Sequence, residues 1–258
     1  MNYRFSGHES FPFRYAWLPK AIRGLRQNPC LFANDAEDEA MVSLGVGKNM
    51  VRSMRFWVQA TGVAEPAAKG GLQPSDLGEL LFAEEEGLDP FLEDIQTLWL
   101  LHWNIATQKD EPLFAWRFLL NDWQEPEFAE QGLLKAFEKE AERLSRKLSL
   151  VTLKQHFDVF LHTYVPTRGK KAEILEDNLD CPLTELELIT AVGERDAGSH
   201  KREVVYAFRR EEKPAITAAL FSWALDDFWE KMHPKEKTLA AGLVATGVGS
   251  PGGGCPVW

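Results

Sequence analysis

A helix-turn-helix pattern over residues 40–59 constrains the fold more than any other stretch of this 258-residue chain. Small or apolar residues fall at the positions that two packed helices would bury, namely Ala40, Leu44, Val46, Val51 and Met54. Gly45 stands where the turn needs a left-handed residue. The spacing predicts a first helix that ends at Leu44 and a second that starts near Gly47. The second helix is expected to bury Val51, Met54, Phe56 or Trp57, and Val58.

The other face of the second helix is polar and cationic. Lys48, Asn49, Arg52 and Ser53 are expected to point outward. Short polar and cationic side chains on the first turns of a helix suit phosphates and base edges in a major groove. An ordinary helical corner with a solvated cationic face has the same spacing, so the pattern is compatible with either a DNA-binding helix or such a corner. The candidate DNA-binding residues are Lys48, Asn49, Arg52, Ser53, Arg55, Arg14, Lys20 and Lys69.

The flanking segments favour a winged helix-turn-helix domain over residues 1–83. Leu18 to Gln27 is predicted as its first helix, with Pro19 in the first turn. Thr61-Gly62-Val63 stops the second helix of the pair, and Lys69-Gly70-Gly71 supplies a turn. Gln73 to Asp76 opens a further short helix. An apolar run, a glycine turn and a return strand are typical of a wing.

The rest of the chain is predicted to be mainly α-helical, with a second, wing-like α+β unit. Residues 84–148 form an acidic helical middle, which holds a buried helix from Phe91 to Thr107, a loose connection from Gln124 to Gly132 and a charged helix from Leu133 to Leu148. Residues 149–241 form the second wing-like unit, and residues 242–258 a flexible Gly-rich tail.

The second unit is predicted from four segments. A helix covers Ser149 to Tyr164, with Thr152 preferred to Ser149 as its cap. A second helix covers Thr184 to Val192, on the strength of a capping box at Thr184 and Glu187. A strand at Val204 to Phe208 and a closing helix from Pro214 to Trp229 follow.

Charge is polarised along the chain. The formal net charge is −10, yet the first 60 residues hold eight Lys or Arg against five Asp or Glu, so they carry +3 and the remainder carries −13. Proteins that coat nucleic acid nonspecifically are usually basic throughout, so the negative net charge argues against that class of protein. A basic end with an acidic body can dock on DNA in one orientation.

Compartment signals favour the cytoplasm. The three cysteines, Cys30, Cys181 and Cys255, are far apart and include no CxxC pair, so they predict neither a zinc knuckle nor a disulfide framework. No apolar run approaches the roughly 20 residues that span a bilayer, and no membrane association is expected. The N-terminus lacks the apolar segment of a secretory signal.

Two places hold residues capable of acid–base or metal chemistry. One is the pair His8 and Glu9; the other is the predicted buried helix with Glu93, Asp94 and His102. Each has a structural alternative. His8 can make a structural hydrogen bond within a segment anchored by Phe5, Phe11 and Phe13, and Glu93 and Asp94 can cap the helix that follows them.

Four separated segments resemble the SspB-like family, formerly a domain of unknown function. They are FSGHESFPFRYAWLPKA, LGVGKNMVRSMRFW, DPFLEDIQTLWLLHW and FAWRFLLN, in the family's order, with a fainter likeness through TLKQHFDVFLHTYV and CPLTELELI. The family pattern maps onto Gly7, His8, Glu9, Arg14, Trp17, Lys20, Leu44, Gly45, Gly47, Lys48, Asn49, Arg52, Arg55, Asp89, Pro90, Glu93, Asp94, Trp99 and His102. The end departs from the pattern: Ser250-Pro251-Gly252 resembles a family motif that usually leads into a further apolar strand, whereas here the sequence ends in GGGCPVW.

The resemblance implies a component of a DNA phosphorothioation and phage-defence system. Its expected partners are DNA, a cysteine desulfurase, an ATPase and an ATP pyrophosphatase, and the oligomeric state, a homodimer included, is left open. The family role is to bind and nick DNA so that sulfur can replace a nonbridging phosphate oxygen. Nicking would need carboxylates that hold Mg²⁺ or another divalent metal, for which His8, Glu9, Glu93, Asp94 and His102 are the candidates. The alternative is a noncatalytic winged-helix adaptor or transcriptional regulator.

Overall fold

The computed structural model of the chain describes residues 3–33, 35–67, 70–166, 180–198, 201–247 and 249–251. Helices dominate these residues, and two small antiparallel sheets accompany them. The prediction of a mainly helical protein with an α+β part is therefore confirmed. Within the described ranges, no helix is long and apolar enough to cross a membrane.

Three helices and a hairpin form the N-terminal part. Their bounds are α1 Trp17–Gln27, α2 Glu37–Leu44, α3 Lys48–Ala60, β1 Ala64–Pro66, β2 Leu72–Pro74 and α4 Asp76–Phe82. Strand β1 pairs with β2 in antiparallel register. The Oγ of Ser75 accepts a hydrogen bond from the N–H of Gly78 and so caps α4.

The turn between α2 and α3 is the one that the sequence predicts. Helix α2 ends at Leu44, and Gly45 has φ 60° in the left-handed region, where a residue with a Cβ is strained. Gly47 is extended and precedes α3. Val51, Met54, Phe56, Trp57 and Val58 are all buried, so both aromatic residues face inward.

The second half of the chain wraps helices around the same core. These elements are α5 Ile95–Ala106, α6 Phe114–Arg117, a π-helical turn Phe118–Asp122, β3 Glu127–Ala129, α7 Glu130–Arg143, α8 Leu150–Tyr164, a 3₁₀ turn Pro182–Leu186, β4 Ile189–Asp196, β5 Arg202–Phe208, α9 Ala218–Met232 and α10 Ala241–Thr246. The sheet order is β3-β5-β4, with both pairs antiparallel.

Four local predictions need correction. The helix predicted from Thr184 to Val192 is wrong, because its last four residues belong to β4 and pair with β5. Long-range pairing prevails there over the local capping box. Ser149, not Thr152, caps α8: its Oγ accepts a hydrogen bond from the Thr152 N–H at 3.1 Å. Residues 127–129, predicted within a loose connection, form β3, and residues 242–246, predicted as the start of the tail, are helical.

One hydrophobic core joins the N-terminal helices to the second half. Trp57 of α3 contacts Trp116 of α6 edge to face, with ring centroids 5.7 Å apart. Asn104 of α5 donates a hydrogen bond to the carbonyl of Thr61, just beyond α3, at 2.9 Å. Helix α3 is therefore fixed against the body of the protein by packing and by a hydrogen bond.

Candidate nucleic-acid interface

The first two turns of α3 present a polar surface to solvent. The side chains of Lys48, Asn49 and Arg52 are exposed, as the helical spacing predicts. They follow the extended backbone of Gly47, which leaves the start of the helix open. This surface has the residue types that phosphate and base contacts require, and its role in DNA binding is a prediction.

Glu37 of α2 holds two of these cations. One carboxylate oxygen lies 2.5 Å from Nζ of Lys48, and the other accepts a hydrogen bond from Nε of Arg52 at 2.6 Å. The hydrogen bonds from Lys48 and Arg52, in that order of size, lower the pKa of Glu37 below its ordinary value. Glu37 is therefore ionised at neutral pH, and it offsets part of the positive charge on this surface. Sequence reasoning missed Glu37, because its contact spans the turn between two helices.

Arg55 links α3 to the hairpin. Its Nη2 donates a hydrogen bond to the carbonyl of Gly70, at the hairpin turn, at 3.4 Å. A cavity of about 240 Å³ lies beside α3 and is lined in part by Glu37, Arg52 and Arg55. The predicted contact at Lys69 lies outside the described residues.

Three other predicted DNA-binding residues make structural contacts. Nζ of Lys20 donates a hydrogen bond of 2.7 Å to the carbonyl of Leu44, which ties α1 to the end of α2. The guanidinium of Arg14 lies over the ring of Trp17 at 5.5 Å from its centroid. The prediction that Ser53 points outward is wrong, because its side chain is fully buried and its hydroxyl lies 3.0 Å from the carbonyl oxygen of His8, to which it donates.

The loop before α1 covers Ser53 and has unusual backbone geometry. Gly7, Glu9 and Ser10 have φ values of 111°, 47° and 66°. A Cβ at Gly7 would lie 2.8 Å from a ring carbon of Phe56, so only glycine fits there. Left-handed conformations at nonglycine residues persist only where the surroundings hold them. Here the loop is held by α3, through Ser53 and Phe56.

His8 is buried in this loop and pairs with His156 of α8. Nε2 of His8 lies 2.9 Å from Nδ1 of His156, and Nδ1 of His8 accepts a hydrogen bond from the Ser10 N–H at 3.3 Å. His8 therefore carries its proton on Nε2 and donates a hydrogen bond to Nδ1 of His156. Burial, with a smaller contribution from Arg4, lowers the pKa of His8 to about 4. Burial also lowers the pKa of His156, so both rings are neutral.

His102 is buried in a second polar cluster. Its Nδ1 lies 2.9 Å from the hydroxyl of Tyr164, which also accepts a hydrogen bond from Nε1 of Trp116 at 3.0 Å. The hydroxyl of Tyr164 therefore accepts from Trp116 and shares a second hydrogen bond with Nδ1 of His102. This arrangement holds α5, α6 and α8 together. It accounts for the burial of His102 without a metal or a substrate.

Glu93 and Asp94 lie at the start of α5 and are exposed. Asp94 is the N-cap, and its carboxylate accepts a hydrogen bond from the Gln96 N–H at 2.8 Å. The buried carboxylate of Asp89 accepts hydrogen bonds from the N–H groups of Glu93 and Asp94. Asp94 therefore caps α5 with its side chain, as the structural alternative predicts. Glu93 instead donates its backbone N–H to the carboxylate of Asp89.

Three of the five candidate catalytic residues, His8, His102 and Asp94, have separate structural partners. His8 and His102 are buried in separate clusters around His156 and Tyr164, whereas Asp94 caps a helix at the surface. Among the described residues, no three His, Cys, Asp or Glu side chains converge to hold a metal ion. Mg²⁺ prefers oxygen ligands, and a pair of buried imidazoles does not suit it.

Comparison with known proteins places the chain in a family. A family profile described as "Protein of unknown function (DUF4007)" matches residues 5–253. Two solved structures are similar: "Magnesium ion-bound SspB crystal structure", at 26% identity and a TM-score of 0.77, and "SspB crystal structure", at 27% and 0.75. Each match covers 95% of this chain and 71% of the SspB chain. A search of curated proteins found no match.

The resemblance seen in the four sequence segments is therefore confirmed over nearly the whole chain. The SspB likeness extends through residues that follow those segments, because it covers 95% of the chain. The chain belongs to the DUF4007 family and is SspB-like.

Proposed function

We propose that the chain is the DNA-binding component of a DNA phosphorothioation and phage-defence system. The observation that carries the proposal is the exposed set of Lys48, Asn49 and Arg52 on the first turns of α3, directly after the left-handed turn at Gly45. The likeness to SspB supports the choice of system. The chain would act there with a cysteine desulfurase, an ATPase and an ATP pyrophosphatase.

In this proposal, α1 to α4 and the β1–β2 hairpin make a winged helix-turn-helix. Helix α3 enters the major groove, where Asn49 can read a base edge and Lys48 and Arg52 contact phosphates. Arg55 lies between α3 and the hairpin turn, where the DNA backbone would pass. The net charge of +3 on residues 1–60 favours approach of DNA from this side.

We further propose that the chain nicks one DNA strand in the presence of Mg²⁺. The support is the likeness to an SspB structure that is described as magnesium ion-bound. Mg²⁺ is often held by only one or two carboxylates, with water and substrate phosphates as the remaining ligands. Glu9 and Glu93 are the candidate carboxylates that α5 capping does not employ.

A noncatalytic adaptor or regulator is the second candidate function. It is favoured by the contacts of His8, His102 and Asp94, each of which has a structural partner. In this case α3 would position the DNA, and the acidic body would recruit the modification enzymes.

A supercoiled-plasmid assay with the purified chain distinguishes the two functions. If the chain nicks DNA, the supercoiled plasmid is converted to open circles with Mg²⁺ and stays supercoiled with EDTA. The Lys48→Ala, Arg52→Ala double variant is then expected to form no open circles, because it has lost DNA binding. Plasmid binding without metal-dependent nicking would overturn the nicking proposal and support the adaptor. No binding of plasmid in either condition would overturn both.

A further inference from the structure

We infer that Glu37 is a specificity-determining residue, whose carboxylate restrains the phosphate-binding cations of α3 and so limits binding to arbitrary DNA. The inference deepens the proposed function and rests on it. It starts from one contact: a single carboxylate bridges Lys48 and Arg52, with one oxygen on each.

The exposure of the three side chains shows how the restraint is arranged. The side chain of Glu37 is 20% exposed, whereas those of Lys48 and Arg52 are 53% and 48% exposed. The carboxylate therefore lies behind the two cations and leaves part of each accessible from outside. A phosphate can reach the remaining donors of Lys48 and Arg52 without removal of Glu37. The phosphate then meets Lys48 and Arg52 together with Glu37, whose combined charge is +1, instead of the two cations alone, whose charge is +2.

The lower net charge weakens contacts with phosphates more than contacts with bases. Binding to arbitrary DNA depends on the phosphates and on counterion release, whereas sequence is read at base edges. Asn49, whose exposed amide suits a base edge, is neutral, and its hydrogen bonds do not depend on the charge of Glu37. Glu37 therefore weakens arbitrary binding and raises the share of the affinity that base contacts supply.

Glu39 offers a matched control on the same helix. It lies two residues after Glu37 in the first turn of α2, and it accepts a hydrogen bond from Nδ2 of Asn28 at 3.2 Å. Glu39→Gln and Glu37→Gln change the net charge by the same amount at neighbouring exposed or half-buried positions. A difference between the two variants therefore reports the local contact with Lys48 and Arg52.

The test measures binding of three unrelated 20-base-pair duplexes by fluorescence anisotropy over a series of salt concentrations. Glu37→Gln is expected to bind all three about fivefold more tightly, as the removal of one charge at close range in water predicts. The slope of log affinity against log salt is expected to steepen by about one. Glu39→Gln is expected to change affinity by less than about twofold.

A double-mutant cycle separates this effect from a change in fold. In the Lys48→Ala, Arg52→Ala background, Glu37→Gln is expected to change affinity by less than about twofold, as Glu39→Gln does, because no cation beside it then holds a phosphate at close range. Equal or weaker binding by Glu37→Gln, with wild-type binding intact, would overturn the inference and leave the proposed function standing. Absence of duplex binding by the wild type and every variant would overturn the proposed function itself.

Discussion

Nε2 of His8 lies 2.9 Å from Nδ1 of His156, and the two imidazole rings stack in the core with centroids 5.1 Å apart. This pair connects the loop before α1 to α8, which are 148 residues apart in sequence. The same loop accepts hydrogen bonds from Ser53 and Trp57 of α3. Helix α3 and the body of the protein are thus coupled through the short loop that carries buried His8.

The histidine pair predicts a loss of stability in mild acid. Folding lowers the pKa of His8 to about 4 and also lowers that of His156, whereas unfolded histidine titrates near 6.5. Below pH 6.5 the unfolded state binds more protons, so the free energy of unfolding is fully present above that pH and falls as the pH falls toward 4. Urea titrations at pH 7.5, 6.5 and 5.5 measure this decline in the free energy of unfolding.

His156→Asn is the matched variant for this prediction, because an amide oxygen can replace Nδ1 as the acceptor. Its unfolding free energy should fall less steeply between pH 6.5 and 5.5 than that of the wild type, whose decline is at most about 1.4 kcal/mol per pH unit for each histidine. Identical slopes for the two proteins would show that folding does not lower the pKa of His156.

Gly45→Ala tests the turn between α2 and α3. Gly45 has φ 60°, and alanine in that conformation costs about 1 kcal/mol. Gly47 has φ −72°, and a Cβ there would contact nothing within 4 Å. We expect Gly45→Ala to lower the free energy of unfolding by about 1 kcal/mol, and Gly47→Ala to leave it within about 0.5 kcal/mol of the wild type. Equal effects in urea titrations would contradict the assigned turn.

Asp94→Ala and Glu93→Ala distinguish capping from catalysis. Removal of the Asp94 carboxylate takes away the N-cap of α5 and should cost about 1 kcal/mol. Glu93 is exposed and contributes its backbone N–H to Asp89, so its replacement should change stability by less than about 0.5 kcal/mol. Thermal unfolding and plasmid nicking are measured together. Loss of nicking in a stably folded Asp94→Ala protein would assign that carboxylate a role beyond the cap.

Ser53→Ala tests the corrected position of that residue. Its hydroxyl is buried and donates to the carbonyl of His8, so the variant leaves a buried acceptor with one partner fewer and should cost about 1 to 2 kcal/mol. Duplex affinity of the folded variant should equal that of the wild type. A weakened affinity with unchanged stability would restore Ser53 as a DNA contact.

The N-terminal helices could be predicted because their signals are local. Pro19 marks the first turn of α1, Gly45 the end of α2, and apolar residues recur along α3 with helical spacing. The three-stranded sheet has a local signal at one strand, because the strand predicted at Val204 to Phe208 lies within β5. Its pairing has none, since Phe128 of β3 pairs with Tyr206 of β5 across the intervening helices. A capping-box pattern at Thr184 then favoured a helix where long-range pairing makes a strand.

The surface of α3 was predicted in part for the same reason. Helical spacing places Lys48, Asn49 and Arg52 outside, yet it cannot show that a loop from another part of the chain covers Ser53. Nor does any local pattern show that Glu37 bridges Lys48 and Arg52, or that His8 meets His156. Contacts between distant segments decide which polar residues remain available.

The most direct test of the central claim is the salt dependence of duplex binding by the wild type and by the Lys48→Ala, Arg52→Ala double variant. A double variant at Lys135 and Lys139, two exposed lysines of α7, removes the same charge elsewhere. If α3 binds DNA, its double variant loses at least about tenfold in affinity and its salt slope becomes shallower by about 2, while the α7 variant resembles the wild type. Unchanged affinity and slope in the α3 variant would contradict the claim.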